Sequence, residues 1–242
     1  MKIYVSTWDK YLSVLKPFSF LLNKFWFETP EVIILNRGTE KPNFKLPDNF
    51  EFINLGLNLG PNLWTTDLGR FFESINDEHF IFAQEDFFLL ELVNKHVYKV
   101  LESFRQNPNV GRINLTNDME YRWLEWRHRY HECGYTKDVS IIKSTPDAEY
   151  RVSCQMSIWN RKYMLYALTP GLNPSQFETQ SKVKNDGWEI ISSKRPHAVT
   201  HATGIRKGNL NNLIFNCTME YDPHELDQET LNEMKQKGII DG

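Results

Sequence analysis

The chain has 242 residues, 40% of them hydrophobic, so it can bury one sizeable core and we expect a single domain. Its 28 basic and 31 acidic residues are interspersed and give a formal net charge of −3, which disfavours a nucleic-acid partner because no basic patch stands out. The three cysteines are few and unevenly spaced, which argues against a disulfide scaffold and favours buried thiols in a reducing compartment.

The N-terminal sequence predicts neither a signal peptide nor a membrane span. The first apolar run is broken at Ser6, too early for a signal-peptide core. The window from Val14 to Phe27 contains Lys16, Pro17 and Lys24, whereas a membrane span needs about 18 uncharged residues. We therefore expect a cytoplasmic protein without a transmembrane segment.

Strands and helices alternate through the first half of the chain. Strands are predicted at Lys2–Ser6, Glu31–Leu35, Phe50–Leu55 and Glu78–Ala83, and helices at Tyr11–Phe27, Leu63–Ile75 and Leu89–Phe104. This alternation implies right-handed crossovers and a mainly parallel sheet to about residue 110. Ligands of such sheets bind at the carboxyl ends of the strands, so the residues that follow each strand are the candidates for a site.

The second half is less regular. Strands are predicted at Val110–Leu115, Tyr150–Ser157, Gly187–Ser192 and His197–Gly204, and helices at Ile158–Leu168, Gln176–Lys182 and Asp227–Lys237. The predicted fold class is α/β, with a mainly parallel central sheet flanked by helices and a mixed C-terminal half.

Two adjacent carboxylates, Glu85 and Asp86, follow the apolar run Phe80–Ala83 and the intervening Gln84. Burying them unpaired would cost several kcal/mol each, so a cation should compensate them. Mg²⁺ or Mn²⁺ accepts carboxylate oxygens and keeps positions free for phosphate oxygens. The alternative is a solvated strand-to-helix turn, in which both carboxylates favour the N-terminus of the following helix.

Several stretches of the chain resemble GT-A type glycosyltransferases. Asn62–Phe72 followed by Phe80–Leu89 is similar to the helix and strand that precede the acidic Asp-x-Asp-like motif of that fold. Ser153–Tyr163 and Pro170–Glu178 look like the second-half signature of poorly characterised bacterial and phage members. The resemblance spans most of residues 1–210.

The resemblance implies a GT-A-like fold that moves a sugar from a nucleoside-diphosphate-sugar donor to a carbohydrate or other hydroxyl acceptor. It divides the chain into a nucleotide-sugar-binding half (1–110), an acceptor-binding half (111–210) and a C-terminal extension (211–242). It implies that Mn²⁺ or Mg²⁺ binds at Glu85 and Asp86, with Asp86 as the direct ligand and Glu85 facing the ribose or the metal's water shell. The family motif has two aspartates, and this chain departs from it with an adjacent Glu-Asp pair.

By the same resemblance, the loop after the first strand holds the nucleotide, with Thr7, Trp8, Asp9 and Tyr11 as candidates. Trp8 or Tyr11 could stack on a base while Asp9 accepts from an imide or a ribose hydroxyl. Asp9 could equally cap the helix that starts near Lys10.

Two further residues are candidates for the donor site. Arg37 follows the second strand and could pair with a diphosphate, although a surface arginine is the commoner case. Gln84 directly precedes the two carboxylates and is placed with them as a donor contact.

Inverting transfer needs a carboxylate that deprotonates the acceptor hydroxyl. The resemblance places an acidic residue at the start of a short helix near the acceptor, which points to Glu178. A solvated helix carboxylate is the alternative, and a retaining mechanism is the better interpretation if Glu178 is not the base. His201 could reach back to the metal, although a lone strand histidine is more often a core or surface residue.

Two other functions stay open at this stage. One is a non-catalytic sugar- or nucleotide-binding module, in which the same loops bind but no base is placed. The other is a nucleotidyltransferase, which is disfavoured because the loop Ser6–Asp9 has no glycine.

Overall fold

The computed structural model describes residues 1–56, 60–120, 130–180, 182–203, 205–206, 209–210 and 226–240. Its strands are β1 (Ile3–Thr7), β2 (Val32–Asn36), β3 (Phe50–Asn54), β4 (His79–Gln84), β5 (Phe87–Leu89), β6 (Val110–Asn114), β7 (Tyr130–Thr136), β8 (Val139–Ser144), β9 (Ser157–Asn160), β10 (Glu189–Ser193), β11 (His201–Thr203), β12 (Ile205–Arg206) and β13 (Asn209–Leu210). Its α-helices are α1 (Leu15–Phe25), α2 (Trp64–Ser74), α3 (Lys95–Ser103), α4 (Arg161–Ala167), α5 (Pro174–Gln180) and α6 (Gln228–Gln236). Short 3₁₀ helices cover Asp9–Val14, Pro61–Leu63, Phe104–Gln106 and Asp118–Glu120.

Within the described part of the chain, nine strands form one sheet in the order β3-β2-β1-β4-β9-β6-β10-β8-β7. β3, β2, β1 and β4 are all parallel, whereas β9 runs antiparallel between β4 and β6. β10 is parallel to β6, and β8 and β7 add antiparallel pairs at the edge. The predicted α/β class, with a parallel first half and a mixed second half, is confirmed.

Side chains from the two faces of the sheet form two hydrophobic clusters. In β1, Ile3 and Val5 pack in one cluster with α1 and α3, and Tyr4 packs in the other with α2 and α4. All five residues of β1 and of β2 are buried, as expected for strands covered on both faces. The helices therefore sandwich the sheet and leave the loops at its strand ends to form sites.

α1 is positioned by its apolar stripe and by a proline. Leu15, Phe18, Leu22 and Phe25 are buried on one side of the helix. Pro17 lies in the first turn of α1, where a missing backbone N–H costs no helical hydrogen bond. The proline thus marks where the α-helix begins, after the 3₁₀ turn.

The prediction of a helix over Leu89–Phe104 was wrong in its first part. Phe87–Leu89 form β5, which pairs with β11 in a separate two-stranded sheet. α3 begins only at Lys95, because the side chain of Asn94 accepts a hydrogen bond from the backbone N–H of Val97 at 3.2 Å and caps the helix.

The prediction of a strand over Tyr150–Ser157 was also wrong, because only Ser157 belongs to a strand, the first residue of β9. The predicted helix over Ile158–Leu168 begins at Arg161, since Asn160 at the end of β9 caps it by accepting from two backbone N–H groups. The hairpin of β7 and β8 was not predicted.

Buried arginine explains why residues 150–156 are irregular. The Arg151 side chain is 2% exposed and donates to the carbonyl oxygens of Thr145, Val183 and Trp188. It also donates to the carboxylate of Asp186 at 2.9 Å. This arginine satisfies loop carbonyls that a β-ladder would otherwise pair.

The expectations of no membrane span and of buried cysteines can be compared with the described residues. No helix in the described ranges is both long enough and apolar enough to cross a membrane. Cys154 is buried as expected, but Cys133 lies exposed on β7, so burial was wrong for that thiol. Cys217 and residues 211–225 of the predicted C-terminal extension lie outside the described residues.

We predict that Arg151→Met lowers the free energy of unfolding by about 3–5 kcal/mol, because it leaves the fully buried carboxylate of Asp186 without its cation. Lys143→Met is the matched control, since its ion pair with Glu189 is 29% exposed on both sides and should contribute only about 0.2–1 kcal/mol. Urea unfolding measures both values. Equal losses in the two variants would show that Arg151 holds no buried charge in place.

Candidate functional site

Glu85 and Asp86 form the turn that joins β4 to β5 at the carboxyl end of β4. Glu85 is only 7% exposed, and Asp86 is partly buried. The residue that follows them begins a strand. The alternative of a solvated turn leading into a helix was therefore wrong, because Phe87 begins β5.

The surroundings of Glu85 and Asp86 disfavour the charged form of both carboxyl groups. Burial raises the pKa of Glu85 well above its usual range, and the neighbouring charge of Asp86 raises it further. Burial raises the pKa of Asp86 to about 6. The Oδ1 atom of Asp86 is buried and has no hydrogen-bond partner among the described residues. A buried anion without a partner indicates a place for a cation.

The donor chemistry at this turn suits a hard divalent cation such as Mg²⁺ or Mn²⁺, which prefers carboxylate oxygens. The described residues contain no group of three or more His, Cys, Asp or Glu side chains placed to hold a metal ion. This chain would hold the cation with Glu85 and Asp86, His201 stays a further candidate ligand, and water and a ligand's phosphate oxygens would take the other coordination positions.

Glu178 lies near the end of α5, not at the start of a helix as the resemblance implied. Its Oε1 accepts a hydrogen bond from the backbone N–H of Cys154 at 2.7 Å. Burial raises the pKa of Glu178 to about 7, with the charge of Asp118 adding to the rise and the Cys154 hydrogen bond and Arg112 opposing it. The carboxylate is partly buried and held, rather than solvated.

A buried arginine that the sequence reasoning missed organises the segment beside Glu178. Arg112 of β6 is 1% exposed and donates to the hydroxyl oxygens of Ser153 at 2.5 Å and Ser157 at 3.0 Å. Ser153 in turn donates to Asp118 at 2.7 Å, and that carboxylate lies 3.5 Å from the arginine. The signal was present in the sequence, because Arg112 is the one charged residue of the predicted strand Val110–Leu115.

Electrostatic effects link these groups to the carboxylate pair. Burial raises the pKa of the Cys154 thiol, and the charges of Glu178 and Asp86 both raise it further. The charge of Asp118 likewise acts on His201. Cys154 therefore lies within electrostatic range of Glu178 and Asp86, and His201 within that of Asp118.

His201 is the first residue of β11 and lies opposite Leu89 of β5. Its ring packs edge-to-face on Phe87, with 4.9 Å between the ring centroids. Burial lowers the pKa of His201 to about 4, which keeps the imidazole neutral, the form that binds metals. A role for His201 as a metal ligand stays a prediction, since its observed contact is with an aromatic ring.

The loop after β1 carries the residues predicted to hold the nucleotide. The Oγ1 atom of Thr7 is buried and has no hydrogen-bond partner within the described residues. The rings of Trp8 and Tyr11 meet edge-to-face with centroids 6.0 Å apart. β1 lies beside β4, with Ser6 opposite Gln84, so this loop and the carboxylate turn share one edge of the sheet.

Asp9 holds the neighbouring loop together. Its carboxylate accepts from the side chain of Asn36 at 2.7 Å and from the backbone N–H groups of Thr39 and Glu40, both at 3.2 Å. Asp9 does not cap its own helix, so that alternative was wrong. Its predicted contact with a nucleotide would compete with these hydrogen bonds.

Arg37 is buried, with 4% exposure, so the alternative of a surface arginine was wrong. Its Nε donates to Asp67 of α2 at 3.2 Å, and its guanidinium also donates to the carbonyl oxygen of Gly60 at 2.9 Å. Arg37 thus fixes α2 against the end of β2. Gln84 is partly buried at the last position of β4.

Comparison with solved structures gives distant likenesses. One is the galactosyltransferase LgtC in complex with donor and acceptor sugar analogues, at 12% identity and a TM-score of 0.39, covering 67% of this chain and 59% of that chain. Another is an active-site mutant of LgtC, also at 12% identity and a TM-score of 0.39, covering 67% of this chain and 58% of that chain. No protein-family model and no curated protein matches the chain. At this distance the likeness does not identify a function.

Proposed function

We propose that this chain is a metal-dependent glycosyltransferase that moves a sugar from a nucleoside-diphosphate-sugar donor to a hydroxyl acceptor, with Mn²⁺ or Mg²⁺ at Glu85 and Asp86. The observation that carries the proposal is the adjacent carboxylate pair, buried at the carboxyl end of β4 with one oxygen of Asp86 unpartnered. Two anions kept close together in a low-dielectric turn are disfavoured, and a bound cation would stabilise their charged forms.

The donor's nucleotide would lie against the loop that follows β1. Adjacent strands are about 4.8 Å apart, so a nucleotide at Thr7, Trp8 and Tyr11 has its diphosphate within reach of the turn after β4. Trp8 and Tyr11 offer aromatic surface for a base, and the unpartnered hydroxyl of Thr7 can donate to a polar atom of the ligand. Gln84 lies between the two regions. When bound, the cation would neutralise the leaving diphosphate.

Glu178 is the proposed base. As the acceptor oxygen attacks the anomeric carbon and the diphosphate leaves, the proton of the acceptor hydroxyl would pass to the carboxylate of Glu178, which the Cys154 N–H holds in place. A pKa of about 7 suits this role, because a base is most effective when its pKa is near the working pH. A binding module needs no such group.

The metal and donor sites are tested by thermal unfolding with a panel of nucleoside diphosphates and nucleotide sugars, each with and without Mn²⁺. We expect one nucleotide to stabilise the wild type by about 2.7 kcal/mol at a hundredfold excess over its dissociation constant, and only with metal. Asp86→Asn, which keeps the shape but removes the charge, should abolish the metal-dependent part. Glu73→Gln, at an exposed position of α2, is the matched control and should behave as wild type. Stabilisation that persists in Asp86→Asn would contradict the proposed metal site.

The base is tested by the pH dependence of sugar transfer. Because Glu178 must be ionised to accept a proton, kcat should rise with pH through about 7 and then level off. Glu178→Gln should lower kcat by about 10²–10⁴ and remove this rise, while donor binding is unchanged.

Stability gives an independent check on the Glu178 variant. Its folded-state pKa lies above the ordinary value of 4.5, so the unfolded chain releases this proton first and the group's contribution to stability is lost as pH rises from about 4.5 to about 7. Glu178→Gln can still accept from Cys154, and it should be at least as stable as the wild type at pH 8. Loss of activity together with loss of stability would indicate a structural role instead.

A further inference from the structure

A cavity of about 420 Å³ opens at the opposite end of β4 from Glu85 and Asp86. His79, the first residue of β4, lines it, whereas the carboxylate pair follows the last residue of the strand. A six-residue strand with a rise of about 3.3 Å per residue separates its two ends by roughly 17 Å. The cavity is therefore separate from the proposed transferase site.

The walls of the cavity carry more positive than negative charge. Arg105, Arg161 and Lys162 line it, and Glu78 is the one carboxylate among its lining residues. Arg105 and Lys162 are exposed, and within the described part of the chain their side chains form no ion pair or hydrogen bond. The fold thus places these cations together without neutralising them.

Arg161 points to an unfilled hydrogen-bonding position. Its Nε atom is buried without a partner among the described residues, and one terminal nitrogen reaches only the carbonyl oxygen of Phe72, at 3.4 Å. A guanidinium presents its N–H groups as a planar fork that matches the oxygens of a phosphate or carboxylate. Burial lowers the pKa of His79 and the charge of Arg105 lowers it further, while the charge of Glu78 opposes the shift.

We propose that this cavity binds the phosphate group of a small phosphorylated molecule. The three cations match a phosphate dianion, and the volume falls within the range of small-ligand sites. Trp188 is partly exposed at the wall and offers apolar surface to an organic group attached to the phosphate. The proposed sugar transfer does not use the lining residues Arg105, Arg161, Lys162 and Trp188.

Isothermal titration with inorganic phosphate and with glucose 1-phosphate, in EDTA and at constant ionic strength, tests the proposal. We expect binding of at least one probe in the wild type and equal binding in Asp86→Asn, which locates the probe away from the carboxylate turn. Tighter binding of glucose 1-phosphate, lost in Trp188→Phe, identifies a phosphorylated sugar as the occupant, and equal binding of both probes identifies free phosphate. Absence of heat with both probes at millimolar concentration overturns the proposal.

Charge variants on the walls of the cavity locate the bound phosphate. Arg105→Gln and Lys162→Gln should each weaken binding about tenfold, the loss expected for one charge-assisted hydrogen bond, and both positions are exposed, so folding is not at risk. Glu78→Gln should tighten binding, because it removes the opposing charge. Lys235→Gln, at an exposed position of α6, is the matched control and should change nothing. Unchanged affinity in both Arg105→Gln and Lys162→Gln would overturn the proposal even if phosphate binds.

Discussion

The uncompensated charge of Glu85 and Asp86 is the constraint on which the rest of the site depends. A buried strand carries the chain into the sheet, and the turn that ends it holds two neighbouring anions that water reaches poorly. Burial raises the pKa of each carboxyl group, and the charge of Asp86 raises that of Glu85 further, so the charged forms are disfavoured here until a cation binds. Neither carboxylate forms an ion pair with a described residue. A ligand that brings positive charge is thus the simplest way to satisfy this turn.

Two buried carboxylates elsewhere in the fold have arginine partners, unlike Glu85 and Asp86. Arg151 neutralises Asp186, and Arg112 lies beside Asp118, with serine hydroxyl groups completing the hydrogen bonds of the second pair. These arginines hold the irregular segment before β9, and that segment supplies the Cys154 N–H that fixes Glu178. Among the described residues, Asp186 and Asp118 thus have arginine partners, whereas Glu85 and Asp86 form no ion pair and are the anions proposed to meet a ligand.

The first half of the fold could be predicted from the sequence because its signals are local. β1, β2, β3 and β4 are short apolar runs bounded by turn residues, and each was predicted to within one or two residues. The position of Glu85 and Asp86 at a strand end followed from the same pattern. The structure of the next residues, Phe87–Leu89, could not be predicted in this way. A short apolar run fits either a helix or a strand, and here pairing with β11 makes it a strand.

The second half could not be predicted because non-local contacts decide it. Residues 150–156 are irregular owing to Arg151, whose partners Val183, Asp186 and Trp188 lie more than 30 positions away. The sequence also did not reveal that Asp9 and Arg37 already have hydrogen-bond partners. Asp9 accepts from the end of β2 and the loop after it, and Arg37 donates to α2. Sequence patterns identified the polar residues at the strand ends, but the hydrogen bonds determine which of them are still free to bind a ligand.

A crystal structure of the protein grown with Mn²⁺ and a nucleoside diphosphate, with anomalous diffraction recorded for manganese, would show whether the turn between β4 and β5 binds metal and donor. We expect an anomalous peak coordinated by a carboxylate oxygen of Asp86, with phosphate oxygens in the same coordination shell and the nucleoside against Trp8 or Tyr11. A nucleotide bound elsewhere, or a bound diphosphate with no manganese at the turn between β4 and β5, would contradict the proposed site.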